Sequence, residues 1–198
     1  MLTPNFALKG VAIAAALGMT ALISNSAEAA GFVGPYDVSN WTFESTNGGD
    51  GFVDTTDAPD SITIVGSNNN VGSSLTSFTI AAVEKSIVSF VWNYQTNDAD
   101  GSFFDNFIVL NDGISTQLTE DTLSTDDQTG EFSFKVSEGD VFGFGIDSFD
   151  SGFGEALVTI SGFMVTEDVP EPATILGTLL FGAIAYRLRK KETSPDVE

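Results

Sequence analysis

Between residues 31 and 168 apolar and polar positions alternate with a period of two. In residues 87–94, Val88, Phe90, Trp92 and Tyr94 share one face, while Ser89 and Asn93 take the other. In residues 131–136, Phe132, Phe134 and Val136 alternate with Ser133 and Lys135. In residues 141–147, Phe142, Phe144 and Ile146 alternate with glycines. Shorter runs at 61–65, 77–82, 103–110 and 157–165 follow the same rhythm, which is that of half-buried strands. No sustained helical period occurs in this span. Clusters rich in Gly, Asn and Asp separate the runs, at 47–51, 66–70, 97–101, 111–113 and 150–152. Asn111-Asp112-Gly113 between two apolar runs predicts a tight hairpin.

About eight short strands with regular turns predict an all-β, two-sheet β-sandwich. Fifteen of the 17 phenylalanines lie in the span, spread over the expected inward positions. A jelly-roll-like order is the preferred topology, with an immunoglobulin-like Greek key as the open alternative.

The two ends have a different pattern. Lys9, an apolar Ala-rich stretch at 11–23 and the small-x-small triplet Ala27-Glu28-Ala29 follow the order of a secretory signal peptide over residues 1–29. Signal peptidase would cut beside Ala27 and Ala29. At the other end an acidic, proline-containing linker holds Pro170, Glu171 and Pro172. The prolines fix φ and lack N–H donors, so helix becomes possible only from Ala173 onward. An apolar run at 173–186 then meets Arg187, Arg189, Lys190 and Lys191, a positive stop that sets orientation across a membrane. The run is shorter than the ~20 residues of an ordinary spanning helix. The basic cluster and the acidic linker favour a membrane or sorting segment over a core helix. A short tail, 192–198, follows.

This tripartite ending, 169–191, resembles the PEP-CTERM sorting signal of Gram-negative bacteria and cyanobacteria. The resemblance implies an exported protein, first anchored in the membrane and later at the cell surface or outside it. It also implies cutting by an exosortase near Pro170-Glu171-Pro172 and an association with exopolysaccharide and biofilm. The Phe-rich alternation, the opening Trp41-Thr42-Phe43-Glu44 and the positions of Asp98, Asp105 and Asp147 resemble the small β-sandwich domains that often carry this signal. The expected organisation is therefore signal peptide 1–29, sandwich domain 30–168, sorting signal 169–191 and tail.

Charge narrows the choice of partners. All but five of the 28 acidic residues lie between residues 31 and 168, with only two of the seven basic ones, Lys85 and Lys135. The whole net charge of −21 thus sits on the domain, which repels phosphate backbones and excludes nucleic acid as a partner. Cysteine and histidine are absent. That removes disulfides, thiol catalysis, lipid attachment at cysteine and the Ser-His-Asp triad. Lys85 and Lys135 lie on strand-like runs with the opposite face apolar, so both are expected to face solvent. No catalytic residue is assigned.

One acidic group stands out. Asp98, Asp100 and Asp105 frame one loop, and Asp147, Asp150 and Glu155 frame another. If these loops converge, their carboxylates suit a hard cation such as calcium; the plain alternative is Asp and Asn capping turns. Trp41, Trp92 and Tyr94 offer an aromatic platform for sugars, although Trp92 and Tyr94 share the expected core face. The expected protein is a non-catalytic surface or matrix protein. A carbohydrate-binding module or carbohydrate-active enzyme on the same sandwich is the second reading.

Overall fold

A computed structural model describes residues 29–168. The expected signal peptide, apart from Ala29, lies outside the described residues, as do the sorting segment, its apolar run and the tail. Among the described residues no helix is long and apolar enough to cross a membrane.

The strands are β1 (Ala29–Ala30), β2 (Thr42–Ser45), β3 (Phe52–Asp54), β4 (Ser61–Val65), β5 (Ser74–Ala81), β6 (Ser86–Thr96), β7 (Asp105–Asn111), β8 (Ile114–Gln117), β9 (Gln128–Val136), β10 (Val141–Ser148) and β11 (Ala156–Glu167). Sheet one has the order β3-β4-β11-β6-β9, with β1 added beside the end of β11. Sheet two has the order β2-β5-β10-β7-β8, and every pairing is antiparallel. The pairs β4·β11, β5·β10, β6·β9 and β7·β8 nest inside one another like the two arms of a long hairpin. Successive pairs fall alternately on the two sheets, which makes the domain a jelly roll rather than an immunoglobulin-like sandwich.

The seven alternating runs in the sequence all become strands. Three short ones escape the pattern. Strands β2 and β3 are edge strands of four and three residues, too short and too exposed to show alternation. Strand β1 starts at Ala29, opposite Val165, so the expected signal-peptidase cut falls inside it. The hairpin at Asp112-Gly113 has positive φ at both residues, 48° and 78°, as a two-residue loop between right-twisted strands requires.

The core is an aromatic layer between the sheets. Trp41 lies between Phe78 and Phe144 of sheet two, with centroids 5.1 and 5.8 Å away and both rings within 15° of parallel. Phe142 and, from sheet one, Phe163 meet it edge-on at 5.8 Å. Phe32 stacks on Phe163 at 4.6 Å. Such pairs each contribute about 0.5–1.5 kcal/mol beyond the area they bury. The indole N–H donates to the Tyr36 carbonyl at 3.0 Å, so the polar edge of Trp41 is satisfied inside.

Phe163 reaches this layer only because β11 changes phase. Ala156, Val158 and Ile160 point inward, and so do Phe163 and Val165, on the other parity. The register against β6 shifts between Ser161 and Met164, where Gly162 and Phe163 together oppose Phe90. This is a bulge, and Gly162 takes φ of 56° to make it.

At the far end of β11, Asp168 holds both lysines of the domain. Lys85 Nζ lies 3.0 Å from its carboxylate and Lys135 Nζ 3.2 Å. The Asp168 amide donates to the Lys85 carbonyl at 3.2 Å. Contacts with Lys85 and then Lys135 hold the Asp168 carboxyl below the usual range. Both lysine side chains are about two-thirds exposed, so the stabilisation is small.

Gly162→Ala is expected to cost about 1–2 kcal/mol, because an L-residue with Cβ is strained at this φ. The nearest atom to a Cβ there is Val91 Cγ2 at 3.6 Å, an ordinary contact, so backbone strain is the whole effect. Gly162→Asn, which tolerates left-handed φ better, should cost less. Urea unfolding of the three proteins checks the order.

Candidate functional site

The loops 97–104 and 149–155 leave the same end of the sandwich, and the backbone ties them together. Asn97 N donates to Glu155 O at 3.0 Å, Ala99 N to Phe153 O at 3.4 Å and Phe149 N to Phe104 O at 2.7 Å. The approach is close enough that a Cβ on Gly154 would lie 2.2 Å from the Asn97 carbonyl oxygen. A side chain at 154 would therefore force the loops apart.

Inside this junction lie two carboxyl groups. Asp98 is 0% exposed and Asp105 is 1% exposed. Asp105 opens β7 directly opposite Ser148, the last residue of β10, and Ser148 in turn faces Ser74 of β5. The inward phase of three strands thus ends in a polar row, Asp105, Ser148 and Ser74, where the apolar layer stops. One Asp98 oxygen accepts the Asp100 amide at 2.7 Å, closing a turn. The other Asp98 oxygen, both Asp105 oxygens and the Ser148 hydroxyl are buried and lie beside one another without a well-directed hydrogen bond. The Tyr94 hydroxyl, the nearest phenol, donates to the Asp105 backbone carbonyl at 2.7 Å instead.

Burial pushes the Asp105 carboxyl up to about 7; the Ser148 hydroxyl draws it down, and the charges of Asp98 and Asp150 raise it further. Asp98 is also raised, mainly by burial, with Asp150 and Asp100 adding to it. Both shifts disfavour the charged forms, as expected for acids placed together away from water.

The other acids expected here stand apart from this pair. Asp100 contributes its backbone amide, but the residue is exposed. Asp150 is half-buried and one of its oxygens accepts the Gly152 amide at 3.1 Å. Asp147 does not join them. It alternates with the buried Ile146 and Ser148, so its side chain belongs to the outer face of sheet two, opposite Leu75 and Asn106. Strand parity, invisible in the spacing of the acids, separates it from Asp105. Among the described residues no three acidic side chains already stand at coordinating geometry. Ala27, Pro170, Glu171, Pro172, Arg187, Arg189, Lys190 and Lys191 lie outside the described residues, and Ala29 is in β1.

The expected aromatic platform is core. Trp41, Trp92 and Tyr94 are all buried, so none can stack on a sugar. An exposed ring exists elsewhere, at Phe52 of β3, which is 52% exposed. Phe52, Val65 and Leu157 are successive cross-strand neighbours on the outer face of sheet one. With Asp50, Asn68 and Glu155 they line a cleft of about 380 Å³. The polar end is internally braced. Asn68 Nδ2 donates to Glu155 Oε2 at 3.0 Å, Asn97 Nδ2 to Glu155 Oε1 at 3.3 Å, and Asn68 N to Asp50 Oδ1 at 2.8 Å. Sequence reading missed Phe52, whose only signal is an aromatic ring directly after the turn cluster 47–51. A larger hollow of about 490 Å³ lies over β6, β9 and Gly162. Gly162 leaves it no side chain, and its two aromatic residues, Phe90 and the half-buried Phe132, pack their rings against the core, so it offers less to hold a ligand.

No protein-family model matches the chain, and the curated proteins contain no match. Solved structures with a related outline include a family 11 carbohydrate-binding module of a Clostridium thermocellum cellulosomal cellulase, at 10% identity and TM-score 0.39, covering 74% of this chain and 97% of that one. The N-terminal cellulose-binding domain of a Cellulomonas fimi β-1,4-glucanase aligns at 13% identity and TM-score 0.32, over 65% of this chain and 97% of that one. An arabinose-bound α-L-arabinofuranosidase aligns at 12% identity and TM-score 0.38, over 70% of this chain. The aligned part spans about a quarter of that enzyme, 24% of its length.

Asp105 makes stability depend on pH in a defined direction. Its folded pKa of about 7 lies above the ordinary value of 3.8, so between these values the folded chain binds the extra proton. Acidification in that window therefore stabilises the fold, and the gain is lost as pH rises through 7. In EDTA, the melting temperature should rise as pH falls from 8 toward 4. Asp105→Asn should flatten that slope. Melting curves at fixed ionic strength check it, and an unchanged slope in the variant assigns the trend to general surface charge.

Proposed function

We propose that the chain is an exported, non-catalytic surface protein whose jelly roll recognises a polysaccharide. Its two end segments would direct it: signal peptidase acting at Ala27 and Ala29, and an exosortase acting at Pro170-Glu171-Pro172 after the apolar run and basic cluster have held the domain at the membrane. The single observation that carries the recognition reading is the Phe52 cleft. A sugar ring presents an apolar C–H face and a rim of hydroxyls. A flat aromatic ring matches the face, and fixed planar amide and carboxylate groups match the rim. The cleft supplies both, with Phe52 beside Asn68, Asp50 and Glu155. Exopolysaccharide is the polymer that a surface-sorted protein of this kind would meet.

Binding is proposed rather than turnover. Both Glu155 oxygens accept hydrogen bonds from Asn97 and Asn68, which makes it a brace for the amides. Lys85 and Lys135, the two basic residues between residues 31 and 168, are both engaged at Asp168, on the other end of the domain.

Affinity gel electrophoresis of the purified chain against a panel of soluble polysaccharides, including exopolysaccharide from the host's own culture, tests the reading. At least one polymer should retard the chain. Phe52→Ala should weaken that binding tenfold or more, equivalent to at least ~1.4 kcal/mol. Its melting temperature should barely change, since the ring is half out of the core. Retardation that ignores Phe52→Ala, or none with any polymer, overturns it. Intact-mass analysis of protein from the native host tests the sorting half: a chain retaining residues 1–29 and 187–191 would sink it.

A further inference from the structure

We propose that the Asp98–Asp105–Ser148 cluster is a calcium site inside the loop end of the jelly roll. The inference goes beyond polysaccharide recognition and is independent of it. Four oxygens lie there buried, beside one another and without a well-directed hydrogen bond: Asp98 Oδ2, Asp105 Oδ1 and Oδ2, and Ser148 Oγ. Buried acceptors left unpaired are costly, and paired carboxylates away from water more so, unless something positive sits between them.

Among the described residues no positive side chain reaches the cluster. Lys85 and Lys135 are the only basic residues between residues 31 and 168, and both bind Asp168. The Tyr94 hydroxyl is turned to a backbone carbonyl. The Ser74 hydroxyl, the next polar group in the row, pairs with Ser151 Oγ at 2.9 Å. What remains is either a proton or a cation from solution.

The donor set selects the cation. It is all oxygen, with two carboxylates and a hydroxyl, in a chain without histidine or cysteine. Such sites suit calcium and magnesium rather than zinc or copper. Magnesium holds its waters tightly and demands a regular octahedron, whereas calcium accepts irregular sets of 6–8 oxygens. A buried junction between two irregular loops fits calcium better. Carbonyls of the loops, Asp150 and water would complete its shell. The loops are already fastened to each other, so an ion there would fix the strand that starts at Asp105 to the strand that ends at Ser148. It would also hold the residues leading to Glu155, at the edge of the cleft.

The test uses the full chain in mild detergent, stripped with EDTA. Terbium, a luminescent stand-in for calcium, is added and excited through the tyrosines and tryptophans, since Tyr94 hydrogen-bonds the backbone of Asp105. Sensitised emission should appear and be displaced by calcium at 10⁻⁴–10⁻³ M, the range of extracellular calcium modules. In parallel, millimolar calcium should raise the melting temperature by several degrees more than magnesium or sodium chloride at matched ionic strength. Asp98→Asn and Asp105→Asn should lose both effects. Asp147→Asn, on the opposite face of β10, should keep them. Equal shifts with calcium and magnesium, or emission unaffected by calcium, mean surface screening and overturn the site. So does a fold stabilised by acid but indifferent to calcium, which would mean that the two carboxyls share a proton. Loss of both effects in Asp147→Asn alone would also overturn it. If a variant fails to fold, the calcium–magnesium comparison and terbium displacement on the unaltered chain still decide.

Discussion

Trp41 is the piece on which the sandwich closes. It belongs to neither long hairpin arm, yet it touches both sheets: Phe78, Phe142 and Phe144 on one side and Phe163 on the other. The segment that precedes β2 therefore fills the space between sheets that strand side chains alone would leave open. Phe163 can meet it only through the bulge at Gly162, because an unbroken β11 would turn residue 163 outward. One glycine with positive φ thus lets the longest strand serve the core along its whole length.

The interior changes character toward the loop end. In register, the inward positions of β5, β10 and β7 run from Phe78, Phe144 and Val109 through Thr76, Ile146 and Phe107 to Ser74, Ser148 and Asp105. An apolar layer gives way to a polar row without leaving the protein. Hydrophobic burial cannot hold that row together. Its integrity depends on how the charge on Asp98 and Asp105 is neutralised, whereas the aromatic layer is indifferent to pH and ions. The two halves of the same sandwich should respond differently to solution conditions.

Much of the fold was legible because period-two alternation over six to eight residues is a strong signal. Val88, Phe90, Trp92 and Tyr94 are all buried, as their spacing indicates. Strands β2 and β3 were not legible, since three or four exposed residues carry no period. The candidate site was read more coarsely. Asp98 and Asp105 were identifiable as neighbours of a glycine turn. Whether Asp147 faced the same way depended on the parity of β10, which its own sequence shows once Phe142, Phe144 and Ile146 are taken as inward. Phe52 was lost because a lone aromatic beside a Gly-Asp-Gly turn looks like any other loop residue. Its meaning comes from Val65 and Leu157, which lie close only after β3, β4 and β11 pair.

The described chain enters and leaves at one end of the sandwich, with Ala29 opposite Val165. The Phe52 cleft and the buried acids lie at the other, where β11 begins. At ~3.3 Å per residue, the 12 residues of β11 separate these ends by roughly 35–40 Å. A ligand gripped beside Glu155 and a chain held beyond Asp168 would therefore load the domain lengthwise along its central strand. Force in that direction shears the hydrogen bonds of β11 to β4 and β6 all at once, rather than peeling them one by one. Under the proposed function, β11 would act as a tension member between the anchored end of the chain and a bound polymer.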